Sequence, residues 1–496
     1  MSPSLFGTPD GPKHLDVITI GICLGLGLGL LLVQLRCLEG WTQPGWARSE
    51  VISFAGCGAA MAILSYWCGM RHFGGFDQSL IVDAGWRLYN GQKPYVDFPC
   101  LLPVGFYLGA ELAFRWFGVF WSSIIKLNVT YLLLTYAWLY LVLRLLFRNR
   151  YLALLLVISV ESMSLLIGSY WWYNPITDTA VLLYIASIAA VQIRPKDRWM
   201  WTSFCLSLLL VALMKPNVSG VAIFGGTCAL LLKNETRWKA CAMSAAAFVL
   251  WLGVLAIHGS TAMQVVGGYL SAVSRGVTAK NFMHDTSTYE RVFAWGCLLA
   301  VLPPWCRPIR GRNAAWVVMA VTALLASLDG FYSNSEPKLV DMSLALLAGA
   351  LMLAEMEPGT NLLRVTSRWT AYLVLMCCAF TITSIDLAVT RHRVRGIGLG
   401  AFFEFEMDDP PFQTGFFKGL REGYNLHVTV DALTDFCSTH PTDNIYFGPR
   451  LQWAYAAYNI QSPKGMPIWW DPNFGFPAKD EDLYTKRFID RHFQTL

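Results

Sequence analysis

Three side chains in this chain of 496 residues stand where their chemistry could be put to use: Asp77, Asp178 and Lys215. Asp77 follows an apolar run by a few residues, at a membrane–water edge where the falling dielectric can tune a carboxylate into a base. The alternative is a solvated acid that ends a span. Asp83 and Arg87 come next, spaced i, i+4, a spacing that favours a structural salt bridge between them. A further acid, Asp97, sits in YVDFPCLLP ahead of a proline-broken turn. Asp178 closes SYWWYNPITD at the start of another apolar run. An acid just inside a membrane helix is costly unless it faces a polar cavity, so it reads either as a site acid or, with Thr177, as a helix cap. Lys215 interrupts two apolar half-runs in LMKPNVSG and either snorkels to headgroups or binds a phosphate. Lys338, in SNSEPKLVD, is a weaker anion-binding candidate, for which snorkelling is the favoured role.

These residues lie in a chain whose composition fixes its class. Hydrophobic residues make up 55% of it and charged residues 14%, where a soluble domain carries about a quarter charged residues. This predicts a polytopic α-helical membrane protein. The net charge of +5 is spread over short connections, which argues for membrane topology and against nucleic acid. The 13 cysteines form no CxxC pair, so neither a zinc site nor a disulfide framework is expected. The first residues, MSPSLFGTPDGPKHLD, lack the basic region of a signal peptide, and the first span is expected to be retained.

Apolar runs predict about 12 spans of roughly 20 residues: 16–37, 51–70, 119–147, 151–168, 175–193, 199–214, 217–232, 239–257, 291–305, 314–331, 339–356 and 369–389. The long polar loop 71–118 spends about 45 residues where a simple connection needs a few. Its Leu80–Tyr89 and 102–118 segments read as interfacial helices. Basic clusters at Arg144, Arg148 and Arg150, at Arg194, Lys196 and Arg198, at Lys233, Arg237 and Lys239, at Arg307, Arg310 and Arg312, and at Arg364 and Arg368 mark one face as cytoplasmic. The polar loop, residues 170–178, Lys215 and the 258–290 loop then share the other face. Arg391, Arg393 and Arg395 run against this pattern. The expected division is a transmembrane part, 1–395, and a small extramembrane α/β domain, 396–496. Within the latter, Val428–Cys437 and Trp453–Tyr458 read as helices and Asn444–Gly448 as a strand.

The loop FDQSLIVDAGWRLYNGQKPYVDFPCLLPVGFYLGAELAFRWFG resembles the first external loop of the GT-C glycosyltransferases, which include protein O-mannosyltransferases and the aminoarabinose transferase acting on lipid A. The shared features are an aspartate just after a span, a helix and turn ending in "pY.DF", and a second interfacial helix ending in "FG". SYWWYNPITD resembles that family's second external aspartate, and LMKPNVSG its lysine-bearing turn. The likeness covers roughly 51–235. It implies a GT-C-like fold with Asp77 as catalytic base, Asp178 as a second catalytic acid, Lys215 as ligand of the lipid phosphate and Asp97 as the acid of the loop's turn. Asp77 is followed by Gln78, not by the glutamate of O-mannosyltransferases, which argues against that branch.

The implied activity is transfer of a sugar from a polyprenyl phosphate to a hydroxyl on a glycan, glycolipid or protein acceptor. It would take place on the extracytoplasmic face of a bacterial inner membrane, with inversion. No cofactor is required beyond the lipid-linked donor, and a carboxylate-bound Mg²⁺ or Mn²⁺ is left open. The competing reading is a transporter or lipid flippase, which also needs intramembrane charge but has less use for the acid-bearing loop. In the tail, Ile445, Phe447, Trp453 and Tyr455 are the expected core. Tyr458, Trp469, Trp470 and Asp471 either pack against the membrane part or stack on and bond a sugar acceptor.

Overall fold

The computed structural model describes residues 48–70, 73, 77–100, 103–146, 150–164, 170–268, 314–333, 410–421, 424–440, 444–448, 450–470, 475–476 and 478–495. The expected spans 16–37, 291–305, 339–356 and 369–389 lie outside them. The others correspond to helices: α1 (Arg48–Gly69), α4 (Trp121–Leu146), α5 (Arg150–Ser164), α6 (Tyr173–Ile193), α7 (Arg198–Ala212), α8 (Pro216–Leu231), α9 (Asn234–Ile257) and α10 (Ala314–Ser333). Within α1, α4, α6 and α9 lie stretches long and apolar enough to cross a membrane, as in a helical membrane protein. Between α1 and α4 stand α2 (Asp77–Tyr89) and α3 (Val104–Phe117). At 14 residues, α3 is about 21 Å long, short of a bilayer core of about 30 Å.

The bundle is built around α6, which is buried along nearly its whole length and packed by α4, α7 and α8. Small residues permit the close approach. A side chain at Gly226 of α8 would strike Tyr184 and Ile188, and one at Gly225 would strike Thr322 of α10. Hydrogen bonds fix the order of the ends. Tyr131 of α4 donates to the Ile176 carbonyl at 3.0 Å, and Gln192 donates to the Ala229 carbonyl at 3.1 Å. Further along, Trp138 of α4 and Ser187 of α6 both bond Ser203 of α7, and the Lys215 N–H meets Thr177; hence α4, α6 and α8 run parallel, with their amino ends at one face.

The opposite face carries basic clusters. Arg144 and Arg150 bond the buried Glu50 at 2.7 and 3.2 Å, and Lys239 reaches the Pro195 carbonyl at 3.2 Å. Arg307, Arg310, Arg312, Arg364, Arg368, Arg391, Arg393 and Arg395 lie outside the described residues. The start of the 258–290 loop falls on the α2 side, where Ser260 donates to the Pro94 carbonyl at 2.9 Å.

One expectation about the long loop is corrected. Leu80–Tyr89 reads as amphipathic, but from Gln78 to Leu88 every residue of α2 is buried, so the helix has no face left for an interface. On one side lies α3, where a Cβ on Gly85 would strike Ala110. The rest is covered by the C-terminal segment. That segment folds as α11 (Tyr424–Thr439), α12 (Trp453–Ala457), α13 (Glu481–Asp490) and two parallel strands, β1 (Ile445–Tyr446) and β2 (Gln494–Thr495). Ile445, Phe447, Trp453 and Tyr455 are buried, as expected of its core.

Helix α2 ends in a Schellman turn. Gly91, at a φ of 77°, donates to the Leu88 carbonyl, and Gln92 donates to that of Arg87, the pattern that favours glycine at this position. Its polar residues are met by the tail. Arg87 bonds Asp83 at 2.9 Å and donates to the Pro463 and Met466 carbonyls. Ser462 donates to the other Asp83 oxygen, Gln92 to the Ser462 carbonyl, and Trp86 to the Ile460 carbonyl. The i, i+4 pair is therefore formed, and both members are at most 1% exposed.

Two predictions follow from this packing. A cysteine at the exposed Asn90, in a background without reactive native cysteines, is expected to label with an impermeant maleimide in intact cells. One at the exposed Lys196 should label only after permeabilisation, and the reverse pattern would invert the orientation. Arg87→Ala leaves the Asp83 carboxylate buried without its counter-charge, at a cost of about 3–5 kcal/mol. Limited proteolysis should then release the tail early, whereas Asp83→Ala with Arg87→Ala together should cost less than the sum of the two single changes.

Candidate functional site

The site starts where α2 starts. Asp77 is the first residue of α2 and half-buried, and the Tyr173 hydroxyl donates to its Oδ2 at 3.4 Å. Tyr173 is the first residue of α6, placed by the aromatic run before it. Trp171 donates to the Phe106 carbonyl of α3 at 3.0 Å, fitting where Gly109 carries no side chain. Trp172 packs against both Tyr170 and Tyr173.

Lys215 arrives from the other side. It occupies the N-cap position of α8, where Pro216 takes the first helical place and sacrifices no hydrogen bond. Its Nζ donates to Asn174 Oδ1 at 3.3 Å and stands 5.7 Å from the centre of the Tyr173 ring. Its backbone N–H donates to Thr177 Oγ1 at 3.4 Å. Asp77 and Lys215 are thus joined through two consecutive residues of α6, and the amino ends of α2, α6 and α8 meet around them. Each such end presents unsatisfied N–H groups and a partial positive charge of about half a unit. Adding the lysine makes a place suited to an anion.

Burial pushes the Asp77 carboxyl up to about 6, with the Tyr173 hydrogen bond acting against it. A carboxylate at that value is a competent base at neutral pH and can be protonated by a modest change in surroundings.

The remaining expected site residues fall elsewhere. Asp178 is buried in the second turn of α6. The helix begins at Tyr173 with Trp172 at its N-cap position, so the capping role open to Thr177 or Asp178 is not the one they take. The reason is that Pro175 is tolerated within a first turn and does not mark the helix start. Thr177 instead returns a hydrogen bond to the Tyr173 carbonyl.

Asp97 is not brought to Asp77. It closes a turn, accepting from the Lys93 N–H at 2.8 Å, and it meets Lys464 of the tail at 3.7 Å. This lies past the far end of α2, a helix of 13 residues and about 20 Å. Trp470 is half-buried, its ring edge-on to Tyr446, Phe476 and Phe488, which makes it part of the tail's own aromatic packing. Lys338 and Asp471 lie outside the described residues. Among the described residues, no three His, Cys, Asp or Glu side chains gather as a metal site would need.

Some polar groups escaped the sequence reading. Glu161 of α5 is buried and accepts from Thr135 of α4 at 3.1 Å. Its signal was an acid within an apolar run, YLALLLVISVES, which a membrane helix seldom keeps without use. Trp172 Nε1 and Ser219 Oγ, near the amino ends of α6 and α8, are buried with no hydrogen-bond partner. Such groups carry a desolvation penalty that a bound acceptor would remove. Compared with known proteins, the chain matches no family model, no curated protein and no solved structure.

Tyr173→Phe removes the donor that favours the charged form of Asp77, so its pKa should rise above about 6. A hydrophobic carbodiimide labels protonated carboxyls, and labelling of the Asp77 peptide, followed by mass spectrometry across pH, should show its midpoint at a higher pH in the variant. A midpoint unchanged or lowered would remove Tyr173 from the site.

Proposed function

We propose that the protein is an integral-membrane glycosyltransferase of the GT-C kind, moving a sugar from a polyprenyl phosphate to an acceptor hydroxyl. The observation that carries the reading is the meeting of a half-buried carboxylate, Asp77, with Lys215 at three helix amino ends. A base and an anion-binding corner side by side are what this displacement asks for. Asp77 takes the proton of the acceptor hydroxyl as its oxygen attacks the anomeric carbon. The bond from that carbon to the phosphate oxygen breaks, and its electron pair leaves with the lipid phosphate. Lys215 and the helix ends hold the growing negative charge of the leaving group. Attack opposite the leaving group inverts the anomeric centre.

The donor's polyprenyl chain stays in the lipid while its phosphate reaches the amino ends of α6 and α8. Asp178, in the second turn of α6, is the second acid of the proposed site. The acceptor, a glycan, glycolipid or protein, enters from the side on which α2 and the tail lie. In this reading that side is the periplasmic face of a bacterial inner membrane. Lys338 and Asp471 are kept in this reading as donor and acceptor contacts.

The test is transfer from a radiolabelled polyprenyl-phosphate sugar by purified protein. Asp77→Asn keeps the shape and removes basicity, so turnover should fall by about two to four orders of magnitude with donor binding retained. Lys215→Met should instead weaken donor binding. Turnover should rise with pH through about 6, as Asp77 gives up its proton. Asp77→Asn within about tenfold of the parent would remove it as base. Passage of a lipid or solute with no sugar transferred would favour a transporter.

A further inference from the structure

We infer that Gln452 and Trp453, in the C-terminal segment, are positioning residues for Asp77, acting through Ser79 in the first turn of its helix; this rests on the transferase reading. Ser79 lies two residues past Asp77, in the first turn of α2. Its hydroxyl donates to Gln452 Oε1 at 3.0 Å and accepts from the Trp453 N–H at 2.9 Å. Gln452 is held at both ends, since its Nε2 donates to the Ile468 carbonyl at 3.0 Å. It is only 3% exposed.

On the other side, Phe73 stands four residues before Asp77. The Trp453 ring meets it edge-on at 5.9 Å. Phe417, also from the tail, packs on both of these rings at 4.8 Å. Gln452 and Trp453, at the start of α12, thus bond Ser79 directly, and Trp453 also packs on Phe73.

A buried amide and hydroxyl would be a poor choice for adhesion alone. Apolar residues of the same shape would hold two elements together with less desolvation. What hydrogen bonds add is direction, because each fixes an atom in place. Here the atoms they fix lie within one helical turn of Asp77. Displacement of about 1 Å at such a group can cost about a hundredfold in rate, so the grip bears on turnover more than on donor binding.

The experiment uses the full-length protein and four variants. Gln452→Ala and Ser79→Ala remove the grip, Ser79→Thr keeps the hydroxyl, and Asn444→Ala breaks a bond internal to the tail, that from Asn444 to the Arg491 carbonyl. Two quantities are read: kcat against donor KM, and carbodiimide labelling of Asp77 at pH 6. Loosening the first turn lets water reach the carboxyl, which lowers its protonated fraction. Gln452→Ala and Ser79→Ala should therefore label less and turn over about tenfold more slowly at unchanged KM. Ser79→Thr and Asn444→Ala should match the parent in both.

Unchanged labelling and kcat in Gln452→Ala and Ser79→Ala would overturn the inference and leave α12 a packing element. So would equal losses in Asn444→Ala, which would mean that any weakening of the tail is enough. If Gln452→Ala does not fold, Ser79→Ala against Ser79→Thr decides the matter alone. If the parent transfers no sugar at all, the transferase reading fails, while the labelling comparison still decides whether the tail positions Asp77.

Discussion

The buried pair of Asp83 and Arg87 is the constraint from which the arrangement of the loop follows. Two opposite charges out of water are tolerated only when the geometry is good and their remaining hydrogen-bonding capacity is met. Here the pair bonds at 2.9 Å, and Ser462, Pro463 and Met466 supply the rest. The partners come from a segment almost 400 residues further along the chain, so the charges are satisfied only once the tail is in place. That makes α2 and the tail interdependent. The helix is too polar to be buried without the tail, and the strap from Ile460 to Met466 has its hydrogen-bonding partners on α2. Removing either member would leave a buried, uncompensated charge, so the tail must dock on α2 with both partners in register. In the transferase reading, a fixed docking is what a helix with the proposed base at its first residue needs.

A second constraint acts at the amino ends. Parallel neighbouring helices place like partial charges side by side, which is unfavourable unless something negative offsets them. In α6 and α8 the ends are aligned by the bond from the Lys215 N–H to Thr177, and Lys215 adds a full charge of the same sign. Asp77, at the start of α2, is joined to these ends by the contacts through Tyr173 and Asn174, and Asp178 is buried in the second turn of α6. In the transferase reading, an anionic ligand binds where these ends meet.

Much of this was legible in the sequence, for identifiable reasons. Helix periodicity and apolar runs placed α1 and α4 to α10 within a few residues, because long apolar segments have few other ways to satisfy their backbone. The i, i+4 spacing gave the Asp83–Arg87 pair, since it is a local property of a helix. What was not legible depends on contacts between distant segments. Leu80–Tyr89 shows the pattern of an interfacial helix, and nothing local announces that residues 452–466 will cover its polar side. Asp97 has the look of a site acid because acids close turns and bind ligands with the same oxygens. Trp470 has the look of a sugar platform because an aromatic ring that packs inside a small domain and one that stacks on a ligand are the same residue in sequence. Glu161 was passed over because a single acid scarcely alters the hydropathy of the run that contains it.

The division of labour between α2 and the bundle follows from these constraints. The spans can be nearly all apolar because the groups that must be polar near Asp77 are confined to helix starts and to a helix that is not a span. Helix starts are where unsatisfied N–H groups occur at no extra structural expense, and Lys215 and Tyr173 each stand at one. A helix outside the bundle can be fixed by polar contacts, which would be costly among lipid chains. So α2 receives its orientation from hydrogen bonds with the tail, while α6 receives its own from close packing against α4, α7 and α8. Asp77 and Lys215 lie at the seam between the two regimes. There a carboxylate can be dry enough to act as a base and still be reached from water, and a lysine can face a headgroup without leaving the protein.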